Sequence, residues 1–490
     1  MVTLEEFRQY KSAAGYSIVP ISKEILSDSC TPIQLLKKLK NKSHHVFMLE
    51  SVEKQEFWGR YTFLGYDPKM EISCSNGVMR IKNGKTEELE VSRPDDEIKK
   101  ILDDYKSPKI EGLPSFTGGL VGYFSYDYIK YCEPKLNLNA NDEENFKDVD
   151  LMLFDKVIAF DNLKSKIVVI VNARLGVDDL EAEYKRVENE IDKMISIIKT
   201  GEEAYIPVGK LTSDYHALFS KEEFCEMVEK AKRYIYEGDI FQVVLSNRLM
   251  ADFEGSLLNA YRVLRTLNPS PYMFYFSSDD MEVAGASPET LVKLEDKTLH
   301  TFPLAGTRPR GKTEEEDQAL EKELLADEKE RAEHNMLVDL GRNDLGKISE
   351  FGSVKVEKYM TIERYSHVMH IGSTVAGTLR EDKHPLDSVA AVLPAGTLSG
   401  APKHRAMEII NELENNKRGI YGGAIGYIDF TGNVDTCIAI RLAFKKNGKV
   451  FVRSGAGIVA DSVPENEYVE CINKAKAVMM AIVEGERGDL

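Results

Sequence analysis

One tryptophan and six cysteines are all that 490 residues hold of these types, and no cysteine (Cys30, Cys74, Cys132, Cys225, Cys437, Cys471) stands in a CxxC pair. Such scatter supports neither a disulfide framework nor a thiolate zinc cluster, and it fits a reducing cytoplasm. Positive charge is also in deficit: 64 Lys and Arg against 81 Asp and Glu leave a net charge of −17. That field repels polyanions, so no nucleic-acid partner is expected. No stretch approaches the roughly 18 consecutive apolar residues of a membrane span, and the opening MVTLEEFRQYKSAAG lacks a basic region followed by an apolar run. Neither membrane insertion nor export is expected. HExxH and HxxEH are missing, which removes the usual zinc peptidase patterns, and no solenoid repeat or low-complexity tract occurs.

What is present is a core-forming chain, 42% hydrophobic and 30% charged, long enough for two domains or one large composite unit. Residues 70–91 carry two Asn-Gly pairs between short alternating runs, which predicts a three-strand antiparallel meander. Lys156–Phe160 and Lys166–Asn172 read as a strand pair and Asp178–Thr200 as an amphipathic helix. The polar GEEAYIPVGKLTS (201–213) then divides a first region (1–200) from a second (201–490). In the second, Lys221–Glu237 reads as a helix, strands are expected near 240–248, 272–294 and 354–379, and one long helix within 314–340. The alternation from Val434 to Phe444 is complete and reads as one strand, which the Asn447-Gly448 turn returns into KVFVRSG; a helix over about 465–485 follows. Many hairpins and few long helices predict an α+β fold with large antiparallel sheets.

Two glycine motifs invite nucleotide-binding readings. Gly306-Thr307-Arg308-Pro309-Arg310-Gly311-Lys312-Thr313 matches the P-loop pattern. However, the region is hairpin-rich, and Glu314, Glu315, Glu316 and Asp317 would sit where phosphates belong. Gly455-Ala456-Gly457 resembles a dinucleotide-binding turn, but the one helix beyond it leaves no second strand for a βαβ unit. A different pattern concerns carboxylates. Glu330 and Glu333 stand three apart on one predicted helix, and Glu467 and Glu470 repeat that spacing on another. Each pair shares a helix face; four convergent carboxylates suit an oxygen-ligated Mg²⁺, and the alternative is solvated helix charge paired with Arg331 or Lys474.

Nine ordered segments resemble the chorismate-utilising enzymes: FTGGLVGYFSYD (116–127), GDIFQVVLS (238–246), SPE (287–289), PLAGTRPRG (303–311), KERAEHNMLVDLGRNDLG (329–346), LPAGTLSGAPKHRAMEII (393–410), IYGGAIGYIDFTG (420–432), CIAIR (437–441) and SGAGIVADSVPENEYVECINKAKA (454–477). The resemblance implies two large antiparallel sheets packed together, with helices outside and chorismate between them. It implies Mg²⁺ held by Glu333 and Glu470, with Glu330 and Glu467 in support. Arg441, Tyr421 and the backbone of Gly455, Ala456 and Gly457 would bind the enolpyruvyl carboxylate, and Gly306 and Thr307 would contact substrate. Glu289 matches the family's general acid, with His370 and Thr397 beside the ring.

Within the family, Gln242 stands where water-adding members carry a lysine base, and Ala305 stands where many 4-amino-4-deoxychorismate synthases carry a nucleophilic lysine. Both positions favour the anthranilate synthase large subunit (component I), with 4-amino-4-deoxychorismate synthase as the alternative and a P-loop NTPase as a distant one. No glutaminase nucleophile motif surrounds any cysteine, so a separate glutamine amidotransferase subunit (component II), and hence a hetero-oligomer, is expected. FMLES (47–51) and NPSPYMFYF (268–276) resemble the tryptophan feedback site of anthranilate synthases. This implies that Glu50, Ser51, Pro271, Tyr272, Met273 and Cys437 contact the inhibitor in the first region and its neighbours. Cys437 and Arg441 are expected on one face of one strand, linking that pocket to the active site.

Overall fold

The computed structural model describes residues 2–12, 15–51, 59–365 and 368–488. Among these, the strands form two large sheets of 13 and 12 strands, and the pairings between strands are antiparallel. An aromatic layer fills the space between the sheets. Phe47, Phe274, Phe276, Phe444 and Phe451 enter it from the first sheet, Val121, Tyr123, Phe154 and Tyr427 from the second. Alternation does the sorting. In Tyr272–Ser277, Phe274 and Phe276 face this layer, while Met273 and Tyr275 face the outer core under the helices. Truncating a fully buried phenylalanine here would cost about 3–5 kcal/mol. Helices cover both outer faces, the Leu180–Thr200 and C-terminal Pro464–Gly485 helices on the first sheet and the Glu328–Gly346 helix on the second. No helix of the described residues is long and apolar enough to cross a membrane.

Residues before and after position 200 lie side by side in both sheets. Val46–Glu50 pairs with Tyr272–Ser277 in the first sheet, and Gly119–Phe124 pairs with Ala424–Asp429 in the second. The meander stands as expected in Met70–Ser75, Val78–Asn83 and Lys85–Glu90, as does the hairpin at Asn447-Gly448.

Two elements differ from the sequence reading. The alternating run 434–444 is not one strand. Val434–Ile438 belongs to the second sheet and Leu442–Lys446 to the first, and the chain crosses between them with Arg441 at φ +54°. The crossing reverses the parity: Cys437 and Ala439 point into the inter-sheet layer before it, Leu442 and Phe444 after it. Cys437 and Arg441 therefore do not share a strand face. The expected long helix is two, Glu314–Ala326 and Glu328–Gly346, broken at Asp327. Its carboxylate accepts from the amides of Lys329 and Glu330 and thereby caps the second helix.

Candidate active site

A second crossing runs beside the first. Met281–Ser287 lies in the first sheet and Thr290–Glu295 in the second, so Glu289 occupies the passage between sheets just as Arg441 does. The two passages are bonded together: Ile438 N donates to Glu289 O (3.0 Å), Ala286 N to Arg441 O (3.1 Å) and Ser287 Oγ to Ile438 O (2.7 Å). Residues that leave a ladder are freed from its in-and-out alternation. This brings Glu289 and Arg441 onto two adjacent passages whose backbones are bonded together.

Glu289 is half-buried, and loss of solvation pushes its carboxyl up to about 7, against the opposing effects of the Thr397 hydroxyl and the Lys474 ammonium. Thr397 Oγ1 donates to Glu289 Oε1 at 3.1 Å from the short turn Gly396–Leu398. His370 lies on Val368–Thr378 opposite a bulge, where Gly306 and Thr307 together face this one residue. Gly306 has φ +68°, and a Cβ there would lie 2.9 Å from the Leu324 side chain and 3.2 Å from Glu330 Oε2, so the bulge needs glycine. His370 Nδ1 lies 2.7 Å from Gly306 O, with Thr307 Oγ1 3.2 Å away. A carbonyl only accepts, so Nδ1 carries the proton and Nε2 is the free acceptor. Burial, and then the nearby Arg441, hold the imidazole below its ordinary pKa.

The glycines Gly455 and Gly457 lie within the strand Lys449–Ile458, paired with Gln242–Glu254. This is antiparallel strand, not a dinucleotide-binding turn. A Cβ on Gly455 would stand 3.0 Å from the Tyr421 hydroxyl oxygen, and one on Gly457 2.7 Å from Gln242 Nε2; the missing side chains leave room for Tyr421 and Gln242. The P-loop reading fails likewise: residues 304–309 form an antiparallel strand, and Asp317 accepts from Gly311 N (2.8 Å) and from Arg310, filling the place a phosphate would need.

The four glutamates lie on two helices, and the Glu470 carboxylate is near enough to act on Glu333. Burial raises the Glu333 carboxyl, and the Glu330 and Glu470 carboxylates add to that rise. Burial also raises Glu467, with Glu470 contributing. Glu330 lies 3.4 Å from Arg308 Nη1, and Glu470 2.7 Å from Lys474 Nζ. Crowded, oxygen-only donors on the edge of a cleft fit a hard divalent cation. Among the described residues, only His45, Glu71 and Asp279 bring three ligand atoms within 4.8 Å, and Lys82 already pairs with that cluster. His334, next to Glu333, is structural: it is fully buried, its Nε2 lies 2.6 Å from Ser373 Oγ, and burial pushes its pKa down to about 4.

The sequence reading underused Lys474. Its Nζ donates to Gly455 O (3.1 Å) while pairing with Glu470, so it ties the carboxylate cluster to the glycine strand. Its signal, a Glu-x-x-x-Lys spacing, is also that of an ordinary helix pair.

A second pocket lies where the two regions meet and is lined by Glu50, Ser51, Pro271, Tyr272, Met273 and Cys437, as expected, together with Asp435 and Tyr427. Glu50, expected to contact an inhibitor, is already engaged: Tyr261 Oη donates to it at 2.6 Å and Arg265 Nη2 at 2.9 Å. Ser51 Oγ is buried, with no hydrogen-bond partner among the described residues. Tyr272 Oη donates to Asp435 (2.8 Å), a residue the sequence reading passed over because it sits inside an alternating run.

The sequence profile of the chorismate binding enzymes matches residues 44–480. Anthranilate synthase component 1 of Acetivibrio thermocellus is 48% identical, with 96% of this chain and 97% of that protein covered. The same component of Aquifex aeolicus is 48% identical, with 98% and 97% covered. In structure, anthranilate synthase component I from Streptococcus pneumoniae TIGR4 superposes with a TM-score of 0.75 at 38% identity, covering 93% of this chain and 98% of that one. The chain belongs to the chorismate binding enzyme family and, within it, to the anthranilate synthase component 1 group.

Proposed function

We propose that this chain converts chorismate and ammonia to anthranilate and pyruvate as the large subunit of an anthranilate synthase. The observation that carries the reading is the set of groups gathered around Lys474: an acid whose carboxyl is held up to about 7 (Glu289), the Glu333 and Glu470 carboxylates, and the Arg441 guanidinium, which lines one hollow with Glu470 and Lys474. Chorismate asks for each of these: a proton for its departing hydroxyl, a partner for one carboxylate and a cation for the other.

Glu333 and Glu470 would hold Mg²⁺, supported by Glu330 and Glu467, and the ion when bound neutralises the ring carboxylate. Arg441 then receives the enolpyruvyl carboxylate with Tyr421 and the amides of Gly455, Ala456 and Gly457; a fork-shaped guanidinium is the apt partner. Gly306 and Thr307 line the ring side. Glu289, its carboxyl held up to about 7 and so partly protonated at neutral pH, gives its proton to the C4 hydroxyl, which leaves as water while ammonia bonds to C2, and the new ammonium returns a proton to the carboxylate. His370, with Nε2 unprotonated, takes the C2 proton as the C3–O bond breaks; the ring becomes aromatic, and the released enolpyruvate takes up a proton at its methylene carbon to give pyruvate. Thr397 holds the Glu289 carboxyl in place. Gln242, uncharged, does not activate water in competition with ammonia.

Ammonia would come from glutamine through a partner glutaminase subunit, and the relatives' designation as component 1 supports such a partner. Tryptophan would occupy the Ser51 pocket and inhibit. The deciding experiment incubates the purified chain with chorismate, Mg²⁺ and ammonium. Fluorescent anthranilate is expected, with glutamine used only when the partner is added. Release of 4-amino-4-deoxychorismate, or no consumption of chorismate, would overturn the reading.

A further inference from the structure

Beneath the carboxylate end of the site lies a buried ionic cluster that the mechanism above does not use. Glu414 is 3% exposed, Arg418 3% and Arg453 6%. Glu414 Oε1 accepts from Arg418 Nη2 (2.6 Å) and from the amide of Ser246 (2.8 Å); Oε2 accepts from Arg418 Nε (2.9 Å) and Arg453 Nη2 (2.7 Å). One carboxylate thus serves two guanidiniums, and one positive charge stays in excess.

The cluster's other donors reach residues that lie next to residues of the site in sequence or across a strand pair, or that begin the loop carrying Tyr421. Arg418 Nη1 donates to Leu398 O (2.7 Å), the residue after Thr397, and its Nη2 to Val244 O (2.7 Å), the residue paired with Gly457. Its guanidinium carbon lies 5.9 Å from the centre of the Tyr421 ring. Arg453 Nε donates to Ser246 Oγ (2.9 Å), and Ser246 is the strand partner of Gly455. Arg453 Nη1 donates to Asn416 Oδ1 (2.9 Å) and Lys417 O (3.2 Å), at the start of the loop that carries Tyr421.

A buried ion pair is weak support for stability, because desolvation offsets the Coulomb gain. A cluster with surplus charge is weaker still. Its layout makes sense as a device that fixes geometry and supplies positive potential where an anion binds.

We propose that Glu414, Arg418 and Arg453 are positioning residues for the enolpyruvyl carboxylate: they set Tyr421 and the Gly455–Gly457 backbone, and their surplus positive charge favours the anion without touching it. The proposal rests on the chorismate reading above. A purely structural cluster would change the fraction of active enzyme and leave the affinity of the remainder as it was, whereas a positioning cluster changes the affinity itself.

The test uses Arg453→Met, which removes the surplus charge and leaves Glu414 paired with Arg418, and Arg453→Lys, which keeps the charge and loses the fork. With saturating Mg²⁺ and ammonium, KM for chorismate should rise about tenfold in Arg453→Met, while kcat changes less than about threefold and KM for ammonium stays constant. Arg453→Lys should recover part of the lost affinity. The thermal shift produced by chorismate without ammonium should shrink in the same order. A lowered kcat at unchanged chorismate KM in whichever variant folds would overturn the positioning role while leaving the chorismate reading intact. A wild-type chain inert toward chorismate would remove both.

Discussion

The two pockets that flank the Val434–Lys446 passage treat charge in opposite ways. In the candidate active site, among the described residues, Glu289 has a hydroxyl but no cation in contact and Arg441 makes no ion pair. Burial raises the Glu333 carboxyl, and the like charges of Glu330 and Glu470 add to the rise. In the pocket around Ser51, Glu50 is closed by Arg265 and Tyr261, and Asp435 by Tyr272. Leaving charged groups uncompensated in a buried space is costly unless a ligand completes them. On the function proposed above, the first pocket would take a doubly charged ligand and a cation, and the second a molecule held chiefly by apolar walls and a few polar atoms such as Ser51 Oγ.

The contrast breaks most sharply at the glutamates. Glu333→Gln and Glu470→Gln should each lower anthranilate formation on the order of a hundredfold or more, with the fold retained by circular dichroism, because each removes a charged oxygen ligand. Full activity at low Mg²⁺ in either variant would end the metal assignment.

Next in size is Glu289→Gln, expected to lower kcat by roughly a hundredfold, the lower end of what a positioned acid supplies. The pH profile carries the sign. A carboxyl raised to about 7 is protonated below that value and ionised above it. An acid catalyst is thus lost as pH rises, and kcat/KM should fall through about pH 7. A profile flat from pH 6 to 8 would contradict the role.

Arg441→Lys should come third, raising KM for chorismate about tenfold, since a point charge cannot reproduce the bidentate fork. Unchanged chorismate affinity would remove Arg441 from the carboxylate site.

The smallest effect on basal rate is expected in the other pocket. Ser51→Phe fills it and should leave uninhibited turnover within about twofold while relieving inhibition by tryptophan, provided that tryptophan binds one conformation better than the other. Chorismate and tryptophan should also weaken each other's binding. Wild-type turnover indifferent to millimolar tryptophan would reject the regulatory role and spare the catalytic one.

Local periodicity was enough to find the meander at 70–91, the helices at 180–200 and 464–485 and the hairpin at Asn447-Gly448, because each is fixed by neighbours in sequence. It was not enough at 434–444. Both strands there are buried on both faces, so apolar residues recur whether or not the chain changes sheets, and the reversal of parity at Arg441 leaves no mark in composition. Asp327 was legible as a helix cap only once the break was known.

For the site, spacing on the sequence singled out the glutamate pairs, and ordered motifs singled out Glu289, His370, Arg441 and the glycine strand. The convergence of Glu289 with Arg441, 152 positions apart by their numbering, was decided by two strand passages bonded to each other. The commitment of Glu50 to Arg265 was decided separately, by a helix, Leu258–Leu267, packed near the end of the strand Val46–Glu50, and no local pattern announces it. Residue type and spacing determine which groups can ionise, ligate or turn the chain, since those are properties of the side chain and its near neighbours. Which charges are left unpaired, and hence what the site is ready to bind, depends on burial and on partners brought from distant segments, and only the packed sheets decide that.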